Sequence, residues 1–487
     1  LTIYSSAQPG AINPDLYRPV PGQPQYGYNQ RPPVPGYAVI RSDRTIELAA
    51  NRQTIKFDDV AAYLDPTTVS FTSLTDPAGT SVLEQNYQFD LVSGEKLLQR
   101  FLDKNITVSA TRGTQSTQFT GTLLSSGNGQ LILREDKTGE IRLVNGVTDI
   151  ALPKLPDGLI TKPTLIWDVS AAKAGPHNVR VAYQTEGITW WADYNLVYTE
   201  GENANKGLLD INAWVSILNQ SGATYPQATL KLIAGDVHRA PRPQNYAVRT
   251  MEAMSDARGG APDAGFQEKS FFEYHLYTLG RPATIPDNST KQIELFPGAH
   301  NVPCDKIIVY DGAGANIWFD PYNPMLDQGY GVQSNKDVNV YLRFKNDKAS
   351  GMGMPLPAGR LRVSKVDSAD GSLEFIGEDV NRHTPKDEEV LVKLGNAFDV
   401  VGERIQADFK IDTNRKTIDE TIEIRLRNRK DAPLTVIAQE HMYRWTGWEI
   451  TKSTIDPKKL DARLVHFPVT LKAGEEAIVR YTVRYKW

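Results

Sequence analysis

Residues 481–487 read YTVRYKW. In an extended chain Tyr481, Val483, Tyr485 and Trp487 point one way, and Thr482, Arg484 and Lys486 the other. That period of two marks a half-buried β-strand. The alternation recurs upstream in TIEIRLRNRK (421–430), LTVIAQEHM (434–442), GRLRVSKVD (359–367), DVNVYLRFKN (337–346) and NVRVAYQT (178–185). The fold class expected is all-β, made of several immunoglobulin-like β-sandwich units. The strand spacing of 346–487 suits one or two of them.

At 487 residues the chain exceeds a single core, and length alone suggests about three or four domains. Hydrophobic residues at 40% supply apolar material for several cores. With 54 basic and 58 acidic residues the net charge is -4, too balanced to gather nucleic acid or anionic lipid. Arg239, Arg242 and Arg249 read as a solvated loop. The single cysteine, Cys304, excludes a disulfide framework and a cysteine zinc site within one chain. It reads as a small packed side chain. No apolar run reaches the roughly 18 residues of a membrane helix, so no transmembrane segment is expected. The chain begins at Leu1 rather than methionine. A cleaved secretory signal, and hence export, is the expectation; an engineered truncation is the alternative.

Residues 1–36 hold eight prolines, with Gly, Gln and Tyr between them, as in PGQPQYGYNQRPPVPG (21–36). Such a segment favours extended, polyproline-like conformations. It is expected to lie as an arm on its own body or on a neighbouring subunit, with Tyr4, Tyr17, Tyr26 and Tyr28 as contacts. Residues 37–103 read as short strands followed by a helix over 91–103. Ser93 is placed to cap it, with Leu97, Leu98, Phe101 and Leu102 on its apolar face. Residues 104–153 read as about five strands with tight turns, a small SH3-like barrel. Residues 154–345 form a central β-sandwich region with a long loop at 239–268, a second candidate contact surface. Trp190 and Trp191 straddle one strand. Residues 346–487 close the chain.

The stretch RVSKVDSADGSLEFIGEDVNRHTPKDEEVLVKLGNAFDVVGERIQADFK (362–410) resembles the C-terminal domain of bacterial mucoidy-inhibitor-A-like proteins. ITWWADYNLVY (188–198), LNQSGATYPQATLKLIAGDV (218–237), EYHLYTLGRP (273–282) and DPTTVSFTSLTDPAGTSVLEQNYQFDL (65–91) are similar to the same family. The resemblance spans roughly 40–487. It departs in lacking the coiled coil of some relatives and in adding the arm. It implies an exported, β-rich protein and carries over no catalytic residues.

Motifs for chemistry are sparse. None of the seven histidines has metal-binding spacing. Glu273 and His275 share a strand face, but two ligands do not make a site. Asp367, Asp370 and Glu374 in DSADGSLEFIGED (367–379) are the calcium candidates; a turn at Asp370-Gly371 explains them equally. No nucleophile elbow, phosphate loop or dinucleotide fingerprint occurs, and no cofactor is expected.

The first functional expectation is therefore an exported, non-enzymatic structural or assembly protein of a bacterial envelope or extracellular matrix. It would self-associate through the arm into an oligomer or filament. The alternative is a carbohydrate- or peptide-binding module using Trp318, Tyr322 and Tyr330 in ANIWFDPYNPMLDQGY (315–330). A hydrolase is third, marked by a pocket with two carboxylates or a His/Asp pair.

Overall fold

The computed structural model describes residues 1–4, 12–17, 34–88, 93–112, 115–127, 129–154, 156, 159–235, 237, 266–271, 273–313, 317–332, 334–367 and 369–487. The chain is all-β, arranged as sandwich-like layers of largely antiparallel sheets. Alternation is the cause. In Thr417–Asn428 every second side chain, from Ile418 to Asn428, is buried, which fixes the strand's register against one core.

The first sandwich sets a seven-stranded sheet against a three-stranded one. Trp167 of the small sheet is fully buried. Its ring lies 5.1 Å from Phe71 of the facing sheet and 5.4 Å from Phe57. The strands within 37–88 do not make a sheet of their own. Tyr37–Leu48 pairs with Gly175–Thr185, and Asn51–Phe57 pairs with Thr164–Ala171.

Between these partners lies the 104–153 unit, five antiparallel strands packed on a small core around Phe101, Val108 and Leu133. The expected barrel does not close. The two outer strands of that sheet, Val147–Ala151 and Ile141–Val144, do not pair with each other. At five and four residues they offer too few ladder positions for closure. The helix before it, Gly94–Arg100, is capped by Ser93, whose hydroxyl accepts from Lys96 N. Leu98 and Phe101 reach the core, whereas Leu102 points outward, 40% exposed. Most of the 239–268 loop lies outside the described residues.

A ten-stranded sheet runs through the rest of the molecule. Its pivot is Ser289–Asp311, 23 residues long. The first part pairs with Lys206–Asn219. The last part is flanked by antiparallel Val338–Lys345 and parallel Leu434–His441. One face of that last part packs Tyr310, Val436 and Phe467 against Ile422, Val479 and Tyr481 of a four-stranded sheet. The other face is open and forms the site below. Among the described residues no helix is long and apolar enough to cross a membrane.

Candidate functional site

Five strands lie side by side at the open face: Glu389–Asn396, Val338–Lys345, the end of Ser289–Asp311, Leu434–His441 and Leu464–Leu471. Because Ile308 and Tyr310 face the core, their neighbours Ile307, Val309 and Asp311 face outward. A groove of about 750 Å³ results. It is about 19 Å wide, from four strand spacings of roughly 4.8 Å. Its floor is apolar, with Ile307, Val309, Ile437 and Leu391 around Tyr341, and Leu460 on the rim. Burial pushes the Tyr341 phenol up from its usual value, so it stays protonated and able to donate.

Polar groups gather at both ends. At one end the Asp311 carboxylate accepts from Gln439 Nε2 and His441 Nε2, both at 3.1 Å. His466 Nε2 bonds Gln439 Oε1 at 2.9 Å. The amide oxygen only accepts, so His466 carries its proton on Nε2. The hydrogen bond to Asp311 raises the pKa of His441 against the opposing effect of burial. Burial, and then the charge of His441, lower that of His466. At the other end Arg343 donates to Asp305 at 2.7 Å and lies 3.8 Å from Glu389. The hydrogen bond to Asp305 raises the Arg343 pKa.

Residues 317–332 form no helix or strand, yet their backbone is firmly held. Arg444 forms a bidentate pair with Glu420, both bonds 2.9 Å. It also donates to the carbonyls of Met325 at 3.1 Å, Asp327 at 2.7 Å and Tyr330 at 2.8 Å. Arg404 pairs with Glu440 at 2.9 Å and donates to Gly331 O at 2.8 Å. Tyr443 donates to Glu420 and Tyr481 to Glu440. The side chains of both ion pairs are buried to within 1%. Gly331 has φ +74°, and a Cβ there would collide with the Tyr443 ring.

Of the predicted aromatic trio, Trp318 is 63% and Tyr322 85% exposed. Tyr330 is spent on structure, since it donates to Trp318 O and its ring packs 5.9 Å from Tyr443. Phe319 lies beneath the Arg463 guanidinium, 4.2 Å away. The arm tyrosines are placed in part. Tyr4 stacks on Tyr37 at 4.6 Å, and Tyr17 packs 5.4 Å from Trp191. Tyr26 and Tyr28 lie outside the described residues. Asp367 and Asp370 accept from the backbone of Ala369 and Ser372, and Glu374 from the Ser372 hydroxyl. These carboxylates order a turn, and no group of three metal-ligating side chains converges among the described residues. His275 bonds Glu268 at 2.7 Å. Cys304 is buried, and burial pushes its thiol up to about 12.

Asp311, Tyr341, Arg343, Gln439 and His466 were not singled out by sequence, because four separate strands bring them together. One signal was available. Glu440 falls in the inward phase of Leu434, Val436 and Ala438, and Glu420 in that of Ile418 and Ile422. A charge in a core phase requires a buried partner.

No protein-family model, no curated protein and no solved structure matches this chain.

Proposed function

We propose that this protein binds carbohydrate, without turnover, in the groove on its open sheet face. The observation that carries this is the lining itself. The floor is a sheet face, whose backbone groups are committed to ladders, so recognition falls to side chains. Those side chains combine an aromatic and aliphatic floor with planar polar groups at the ends: Asn335, Asn339, Gln439 and Arg343. Asp311 and Glu389 balance Arg343 and Lys393, which suits a neutral polyhydroxylated ligand. A peptide adding as a strand needs a free edge instead. The volume falls in the range of small-ligand sites, roughly 300–1,000 Å³.

Binding is favoured over hydrolysis by the spacing of the carboxylates. Asp305 is opposite Arg343 in the ladder, and Arg343 reaches Glu389. Asp311 lies six residues further along the strand, about 20 Å from Asp305 at 3.3 Å per residue, and the Glu389 backbone lies beyond that, opposite Lys345. Paired glycosidase carboxylates sit about 5–10 Å apart. No serine, threonine or cysteine stands beside the Asp311–His441 pair among the groove residues.

The test is a glycan array followed by calorimetry. Tyr341→Ala and Gln439→Ala are expected to weaken a hit at least about tenfold, as for buried interface anchors. An array without hits ends this reading.

Arm-mediated assembly at a bacterial surface is the second reading. It is favoured by the place of Thr2–Tyr4, which fills a slot between Lys231–Ala234 and Tyr37–Leu48. A neighbour's arm fits the same slot. Export, and kinship with the mucoidy-inhibitor-A-like proteins, belong to this proposal. Fractionation of the native host tests the export.

A further inference from the structure

We infer that Trp318 and Tyr322 form a pre-set stacking platform that continues the groove, so that the ligand is a sugar chain rather than a mono- or disaccharide. This rests on the carbohydrate reading of the groove.

Burying two ion pairs costs several kcal/mol per ion before their attraction repays it. Here both pairs donate into one irregular loop, fixing the carbonyls of Asp327, Tyr330 and Gly331. Tyr330 then fixes the carbonyl of Trp318 itself. The outcome of that ordering is two large aromatic side chains left 63% and 85% open to water. The bonds hold the backbone that carries these rings, and a fold gains nothing from ordering a loop that leaves its rings in water. A ligand does, because the ordering cost is met before binding.

Arg463 covers Phe319, the neighbour of Trp318, at 4.2 Å. The charge of Arg463 also acts on His441, and His441 holds Asp311 in the groove. Leu460, on the groove rim, is tied to Leu464 by the backbone bond that closes the turn around Arg463. The polar end of the groove therefore abuts the root of the loop. Chain recognition through successive aromatic faces needs no sequence of charges, in keeping with the balanced groove.

The test uses hexaoses and disaccharides of β-1,4-linked glucose and of β-1,4-linked N-acetylglucosamine, with any array hit prepared at both lengths. Titration calorimetry compares the full chain with Trp318→Ala, Tyr322→Ala and Tyr341→Ala. Both loop rings are exposed, so the loop variants are expected to keep the wild-type Tm. The expected result is that Trp318→Ala weakens hexaose binding about tenfold, leaves the disaccharide within twofold, and that Tyr341→Ala weakens both. Equal losses for both lengths, or no effect of either loop variant while Tyr341→Ala abolishes binding, overturn the platform and leave the groove reading intact. Loss with Trp318→Ala but not with Tyr341→Ala overturns the groove reading and the continuity together. Absence of binding by every probe overturns both.

Discussion

The buried Glu420 is the clearest single-residue case. Its two oxygens accept from Arg444, Tyr443 and Gln406, and its side chain is 1% exposed. Removing its charge strands a buried guanidinium. We expect Glu420→Gln to cost about 3–5 kcal/mol, read from urea unfolding. Asp419, the preceding residue, forms an equally short bidentate pair with Arg484, but on the surface. Asp419→Asn should cost less than about 1 kcal/mol. Similar losses for both would mean that burial does not set the value of the Glu420 pair. The histidines at the groove end make a second residue-scale prediction. Both start from 6.5. His441, raised by Asp311, keeps its proton after the unfolded chain has lost it. Its contribution to stability is full below about 6.5 and is lost as pH rises through its folded value. His466 is lowered. As pH falls below about 6.5 the unfolded chain gains a proton that the fold refuses, so stability drops until the folded value is passed. Imidazole NMR should therefore show His441 titrating above His466; the reverse order would refute the Asp311 bond as the cause.

Among the elements, those with long alternation were legible in the sequence, and those made by distant pairing were not. YTVRYK lies in the strand Glu476–Lys486, with Trp487 just past its end, and Tyr481, Val483 and Tyr485 are all buried. Ser93 caps its helix because an exposed first turn needs an acceptor. By contrast, Thr2–Tyr4 is only three residues, and the prolines that follow gave the whole of 1–36 the look of a strandless arm. Its partners lie near residues 38 and 232, beyond any local pattern. The aromatic loop was half legible. Its composition marked Trp318 and Tyr322, but only the tertiary clamp separates them from Tyr330. The groove was least legible, since period two gives each strand its open face but not which strands become neighbours. The long strand Ser289–Asp311 changes partners midway, which no single-strand pattern predicts.

At the scale of the whole molecule, the arm sets a competition between closing on its own body and reaching a neighbour. Ile3 is fully buried, and Lys231 N donates to Leu1 O, so the arm strand completes the middle of a sheet. A swapped copy would make the same bonds in the same slot, so contacts do not distinguish the two states. Tethering does. Covalent connection to Tyr37 keeps the strand near its own slot at an effective concentration on the order of millimolar. At micromolar concentration the closed monomer should dominate, with a light-scattering mass near 54.1 kDa. Assembly through the arm is expected only where local concentration approaches that millimolar scale, as on a crowded surface. Ile3→Asp places an unpaired carboxylate in the core and should abolish any such assembly, because the same slot is used in both states. Oligomers at micromolar concentration that persist in Ile3→Asp, or after removal of residues 1–36, would show that association uses another surface.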